Sequence, residues 1–193
     1  MSADTARVSP RDRFLDAMSR TAAGVTVVTT EGAAGRFGQT VSAMSSVSAD
    51  PPLLLVCINR KSPIRAAIGR HGVFGVSVLR ADQRRIAESF AGRPRTGAPY
   101  DFGIARWETE VTGSPLLAGA VARFDCELEA GYDAGSHTIF VGRVVATGAA
   151  SGAPLVYARR GYGELHAFPN RPAPFDAEWA EPDDERALDL GDL

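Results

Sequence analysis

A chain of 193 residues, 45% apolar and 23% charged, is long enough for one well-packed domain and some tail, whereas two domains would be cramped. A formal net charge of −2, with no run of Lys or Arg, excludes an electrostatic footprint for nucleic acid or anionic lipid. Only two cysteines occur, Cys57 and Cys126, far apart and outside any CxxC or Cys/His ligand spacing, so no metal site is expected and both read as small apolar core residues.

The N-terminus carries Asp4, Arg7 and Arg11 without an apolar h-region, which argues against a secretory signal. The longest apolar run, Leu53 to Ile58, is too short to cross a bilayer, so a cytoplasmic setting is expected. Ser9-Pro10-Arg11-Asp12 reads as a helix start, with Ser9 as N-cap and Pro10 at the first helical position. The helix runs to about Arg20, and Phe14, Leu15 and Met18 share a face expected to pack on the body of the domain.

Gly24 to Thr30 is β-branched almost throughout and pairs across Glu31 to Gly35 with a strand from Arg36 onward. That strand leads into Gly38 to Pro52, a hydroxyl-rich stretch uncharged until Asp50. Read on its own, it is either a Ser/Thr-rich loop or a place where small residues let a flat ligand approach the backbone. Pro51-Pro52 ends it. Leu53 to Ile58 is continuously apolar and reads as a strand buried on both faces. Its exit, Asn59-Arg60-Lys61-Ser62-Pro63, puts two cations at a helix start with Ser62 as N-cap, either a solvated capped helix or a phosphate site.

Gly72 to Leu79 follows as a strand, Ala81 to Phe90 as a helix, and Gly92 to Asp101 as a loop rich in Gly and Pro. Trp107 reads as a packing residue. Ala122, Phe124, Cys126 and Leu128 alternate with Arg123, Asp125, Glu127 and Glu129, predicting an antiparallel strand with one buried and one solvated face. Tyr132 to Gly135 turns the chain, and Ser136 to Ala146 returns as its partner with His137 at the start. A short strand at Leu155 to Ala158 comes next, before Arg159-Arg160-Gly161-Tyr162.

This gives three parts: an arm and helix over 1–20, a domain over 21–166, and an acidic, Pro-containing tail over 167–193. Phe168, Phe175 and Trp179 are candidate anchors of the tail, extended or laid across a neighbouring subunit. Hairpins without βαβ alternation predict a β-rich fold, an antiparallel barrel closed or partly closed, with a few helices.

In this order the segments resemble the flavin reductase-like family, the reductase components of two-component flavin-dependent monooxygenases. The resemblance runs from about Phe14 to Leu165. It rests on Gly24 to Thr30, Thr40-Val41-Ser42-Ala43 through Ser46-Val47-Ser48 to Pro51-Pro52, Leu53 to Asn59, Phe74 to Leu79, Gln83, Phe90-Ala91, Gly113 to Leu116, and His137-Thr138 with Gly142. It implies a split-barrel, FMN-binding type fold, a homodimer, and hydride transfer from NADH or NADPH to FMN or FAD, with reduced flavin passed to a partner monooxygenase. A flavin-retaining electron-transfer or binding protein on the same fold is the alternative. Gly161-Tyr162-Gly163 is followed by His166 where a dinucleotide fingerprint would need a third glycine, so no such fingerprint is evident.

The resemblance also implies roles. Thr40, Val41, Ser42 and Ala43 would line the isoalloxazine ring, with Gln39 beside them. Asn59, Arg60, Lys61 and Ser62 would hold the ribityl chain and phosphate, and Ser48, Phe90 and Ala91 would complete that wall. His137 would position the nicotinamide rather than transfer a proton, and Tyr162 would close the same pocket. Because such cofactors carry the reaction themselves, no catalytic triad or carboxylate pair is required.

Overall fold

The computed structural model describes residues 9–166. Its elements in chain order are α1 (Pro10–Ser19), β1 (Ala23–Gly24), β2 (Thr26–Gly32), β3 (Gly35–Val41), β4 (Met44–Ala49), β5 (Pro52–Asn59), α2 (Pro63–His71), β6 (Val73–Val78), α3 (Arg84–Phe90), β7 (Trp107–Glu108), β8 (Leu116–Leu117), β9 (Ala122–Ala134), β10 (His137–Ala149), β11 (Leu155–Ala158) and β12 (Gly161–Glu164). A seven-stranded antiparallel sheet takes the order β3-β2-β6-β9-β10-β5-β4, and a three-stranded sheet, β1-β11-β12, stands beside it.

Strands β3 and β4 are consecutive in the chain yet lie at opposite ends of the large sheet, so the sheet must curl to bring them together. The Cys57 N–H donates to the Ala43 carbonyl at 3.0 Å, which extends the β4–β5 ladder into the link that leads back to β3. The barrel is split there: β3 pairs only with β2, and β4 only with β5.

Alternation along β2 divides the core. Val28 joins Val56, Ile58, Phe74, Val76 and Phe140 in one cluster, plugged by Ile64 and Ile68 of α2. Val27 faces the other way, with Leu79, Ile86, Phe90, Leu117 and Leu155 beneath α3 and β11. Gly142 is needed where β10 crosses Phe74, because a Cβ there would stand 2.4 Å from the ring's Cζ.

Several expectations change. Helix α1 forms where the signals place it, with Ser9 Oγ accepting from Asp12 N–H at 3.1 Å, but it buries no residue; Phe14 is 62% exposed and Met18 49%. The hydroxyl-rich stretch begins in β3 as expected, but its second part, Met44–Ala49, is an edge strand, β4, rather than a loop. Leu53 to Ile58 is not equally buried on its two faces: Leu54, Val56 and Ile58 are enclosed, while Leu53, Leu55 and Cys57 are partly covered.

Asp125, expected on the solvated face of β9, is fully buried. It is tolerated there because the Thr112 N–H donates to it at 2.8 Å and the Thr112 hydroxyl adds a second bond. The turn expected over Tyr132 to Gly135 shortens to Gly135-Ser136, so both hairpin strands are 13 residues long. Trp107 packs as expected, its Nε1 donating to the Phe102 carbonyl at 3.0 Å. The tail anchors Phe168, Phe175 and Trp179 lie outside the described residues.

Candidate active site

A cavity of about 400 Å³ opens where the split edge of the barrel faces α3 and the β11–β12 hairpin. Thr40, Val41 and Ser42 form one wall; Arg84, Glu88, Ala91 and Arg93 form the second; Tyr157, Arg160, Gly161 and Tyr162 form the third. The first two walls are held by a direct bond, the Thr40 hydroxyl donating to the Ala87 carbonyl at 2.8 Å. Gly38, two residues earlier on the same face of β3, allows the approach, since a Cβ there would lie 2.6 Å from Phe90 Cε1. Phe90 is fully buried and packs edge-on against Phe102 and Trp107, with centroids 4.9 and 5.4 Å away, so it backs this wall from inside.

Charge in the cavity is organised around Glu88, which is 9% exposed and pairs with Arg84 at 2.8 Å and Arg95 at 3.3 Å. The Arg84 guanidinium also sits 5.3 Å over the Tyr162 ring, which meets Tyr157 edge-on at 5.2 Å. Burial, and then the Glu88 charge, push the Tyr162 phenol above its ordinary pKa and keep it a neutral donor at physiological pH.

A second group forms around the start of α2. The β10 register places His137 opposite Asn59, and the Arg60 N–H donates to the Ser136 carbonyl at 2.9 Å. Asn59 Oδ1 accepts from Lys61 N–H at 2.9 Å, while Ser62 caps α2 in extended conformation without a side-chain bond. Lys61 is exposed and, among the described residues, makes no ion pair. Asp133 ties the region to the β9–β10 hairpin, meeting Arg60 at 3.4 Å and Arg65 at 3.2 Å and accepting from the Thr138 hydroxyl at 2.6 Å. That hydroxyl above all, and then the two guanidinium groups, hold the Asp133 carboxyl below its usual range. His137 is half-buried, its Nδ1 2.9 Å from Ser136 Oγ.

The structure thus gathers Thr40, Val41, Ser42, Ala91 and Tyr162 in one cavity, and Asn59, Arg60, Lys61, Ser62 and His137 in a separate cluster. Ala43 bridges them through its bond from Cys57 on the strand between. Two strand spacings, about 10 Å, separate that edge from β10.

Three residues stand apart. Gln39 alternates onto the opposite face from Thr40, and its Oε1 is enclosed without a partner. Phe90 does not reach the cavity surface. Ser48 lies on the outer edge of β4, its hydroxyl donating to the Asp50 carbonyl at 3.0 Å.

Arg84, Glu88, Arg93, Tyr157 and Arg160 were not legible as site residues. Their one signal was Arg159-Arg160-Gly161 after a short strand, the turn of a hairpin whose second strand, β12, is too rich in Gly to read as one.

These features suit a flat ring carrying hydrogen-bonding groups and an anionic tail. Among the described residues strand β3 pairs on one side only, which leaves outward peptide groups for a ligand. Apolar tyrosine faces stand opposite, and cations lie at both ends. Among the described residues no group of three His, Cys, Asp or Glu could hold a metal, and no helix is long and apolar enough to cross a membrane.

The family model described as "Flavin reductase like domain" matches residues 18–166. A protein of Ancylobacter novellus named FMN reductase (NADH) RutF is 39% identical over 160 residues, covering 82% of this chain and 87% of its own. Among solved structures, the NADH:FAD oxidoreductase SgcE6 of Streptomyces globisporus C-1027 superposes with a TM-score of 0.74 at 32% identity, covering 83% of this chain and 97% of its own. BorF, the flavin reductase component of a bacterial two-component tryptophan halogenase, gives 0.73 at 38% identity, covering 82% and 99%.

Proposed function

This chain belongs to the flavin reductase-like family, and from that premise we propose that it is an NAD(P)H-dependent reductase that takes FMN or FAD as a diffusible substrate and passes reduced flavin to a partner oxygenase. The carrying observation is the end of edge strand β3 and its exit, Thr40–Ser42, lining a cavity that Tyr162 also lines. The name of the A. novellus relative favours FMN and NADH, and that of SgcE6 favours FAD with NADH.

The chain's own residues bind and orient. Peptide groups of Thr40 to Ala43 hydrogen-bond the ring edge, in line with a site that stabilises negative charge there. The bare Ser62 cap, the Lys61 ammonium and the α2 N-terminus receive a phosphate. His137, fixed by Ser136 and by its register with Asn59, orients the nicotinamide carboxamide. Bound flavin supplies N5 as the hydride acceptor, so no side chain need transfer a proton. A homodimer belongs to the same reading: Phe14, Leu15 and Met18 leave an apolar stripe on α1 that a second copy would cover.

Lys61→Ala and Ser62→Ala test the placement. Each should weaken FMN binding more than riboflavin binding in a fluorescence titration; equal losses for both ligands would contradict it. His137→Ala should raise the KM for NADH more than it weakens flavin affinity, and an unchanged nicotinamide response would remove His137 from the site.

A further inference from the structure

The third wall of the cavity contains a feature that ring binding does not require. Strands β11 and β12 pair with Ala158 opposite Gly161, which leaves Arg159-Arg160 as a two-residue turn. Both residues are left-handed, with φ of 49° and 61°. That geometry is the type I′ hairpin, whose central positions favour Asn-Gly because a side chain with a Cβ is strained there. The chain places two arginines in this turn, followed by a glycine that the turn itself does not need.

The strain positions the two side chains differently. The Arg159 N–H donates to the Ser19 carbonyl and joins the hairpin to the end of α1. Arg160 stands between two hollows: it lines this cavity together with Thr40–Ser42 and with Arg93, which follows α3, and it also lines a smaller one beside Asp16 and Arg20. The Arg93 N–H donates to the Glu88 carbonyl at 3.0 Å, fixing its backbone at the rim. Glu88, the acid on this wall, is already matched by Arg84 and Arg95. Among the described residues, Arg93 and Arg160 make no ion pair, so the rim holds uncompensated positive charge.

Resting on the flavin reductase reading, we propose that Arg93 and Arg160, backed by Arg84, form a second anion subsite that grips a phosphoryl group of one of the two nucleotides the enzyme uses. Guanidinium groups at the mouth of a cavity suit phosphate because each offers paired N–H donors in one plane. The turn fixes the Arg160 backbone at the cavity rim, so the guanidinium is within reach of a ligand without a change of fold. This subsite is distinct from the start of α2, which lies across the split with Ala43 between them. Two anion subsites flanking one ring site match a reaction that brings two phosphate-bearing cofactors together.

The test compares ligand pairs that differ in their phosphoryl groups. Dissociation constants for FMN and riboflavin come from flavin fluorescence. Those for NAD⁺ and nicotinamide riboside, oxidised forms with no hydride to transfer, come from titrations against the riboflavin-loaded protein. Arg160→Gly suits the left-handed turn better than the parent residue, so it removes the charge without threatening the fold; Arg93→Ala serves as the second variant, and Arg160→Lys keeps charge without the planar fork.

Losing a charge-assisted pair should shrink the preference for the phosphorylated ligand about tenfold in one ligand pair. Arg160→Lys should recover part of it. A change confined to the nicotinamide pair assigns the subsite to the dinucleotide pyrophosphate; a change confined to FMN and riboflavin assigns it to the single flavin phosphate and removes the start of α2 from that role. If both preferences stay within about twofold of the parent in Arg160→Gly and Arg93→Ala, the subsite is wrong while the reductase reading stands. If the parent protein binds none of the four ligands, the reductase reading fails and the subsite falls with it.

Discussion

Replacing Gly38 with alanine probes the joint between the two walls of the cavity. An added Cβ would lie 2.6 and 2.7 Å from Phe90 Cε1 and Cδ1 and 3.1 Å from Phe102 Cζ, so the ring must yield by nearly an ångström to reach ordinary contact. Phe90 has little room, being fully buried between Phe102 and Trp107. Overpacking of this kind costs about 1–3 kcal/mol, offset by about 0.5–1 kcal/mol from removing a flexible strand glycine. A net loss of about 1–2 kcal/mol should lower Tm by about 3–6 °C in a chain of this size. Because β3 and α3 are pushed apart at the Thr40–Ala87 bond, FMN should also bind about threefold more weakly or worse. Gly69→Ala is the control: it sits in α2 with nothing within 4 Å of the added Cβ, so it should stabilise by about 0.5–1 kcal/mol. Thermal melts and flavin titrations of both variants decide the matter. A Gly38→Ala protein with the parent's Tm and FMN affinity would refute the argument that this glycine sets the cavity's width.

Thr40→Val keeps the shape of the wall but removes the hydroxyl that reaches Ala87, and should cost about 1 kcal/mol in denaturant unfolding. Equal stability would mean the bond is not formed in solution. Asp133 has a depressed carboxyl pKa, so its contribution is present above its ordinary value of 3.8 and is lost as pH falls through the lower folded value. The Tm gap between the parent and Asp133→Asn should therefore be largest near neutral pH and close below about pH 4; a gap constant across that range would show that the charge is not the cause. Burial pushes the Cys126 thiol up to about 12 and raises Cys57 as well, so neither should react readily with a thiol reagent at pH 8 until the protein unfolds. Rapid labelling of Cys126 in the native protein would contradict the packing around β9.

Much of the fold was legible because local chemistry and burial agree. Ser9-Pro10 starts α1, Ser62-Pro63 starts α2, and the alternation of Ala122 to Leu128 marks β9. Errors arose where partners distant in sequence decide the outcome. Asp125 is charged and looked solvated, but Thr112 satisfies it inside. Met44 to Ala49 reads as loop by composition and becomes a strand because β5 offers it a partner.

The site divides in the same way. Thr40 to Ser42 and Asn59 to Ser62 occupy continuous, distinctive segments, whereas Arg93 and Arg160 enter through tertiary packing. Gln39 shows the limit of reading by neighbourhood: one residue from Thr40 in sequence, it faces the opposite side of the strand.

The most direct measurement is anaerobic flavin reduction with the protein at about one-tenth the concentration of FMN, a ratio that separates turnover from a single reduction of bound flavin. With NADH in excess over FMN, the account predicts complete loss of oxidised-flavin absorbance, one NADH consumed per FMN. Bleaching that stops at the amount of protein present would point to a flavin-retaining carrier. No bleaching with NADH or NADPH, with either FMN or FAD, would contradict the assignment as a flavin reductase.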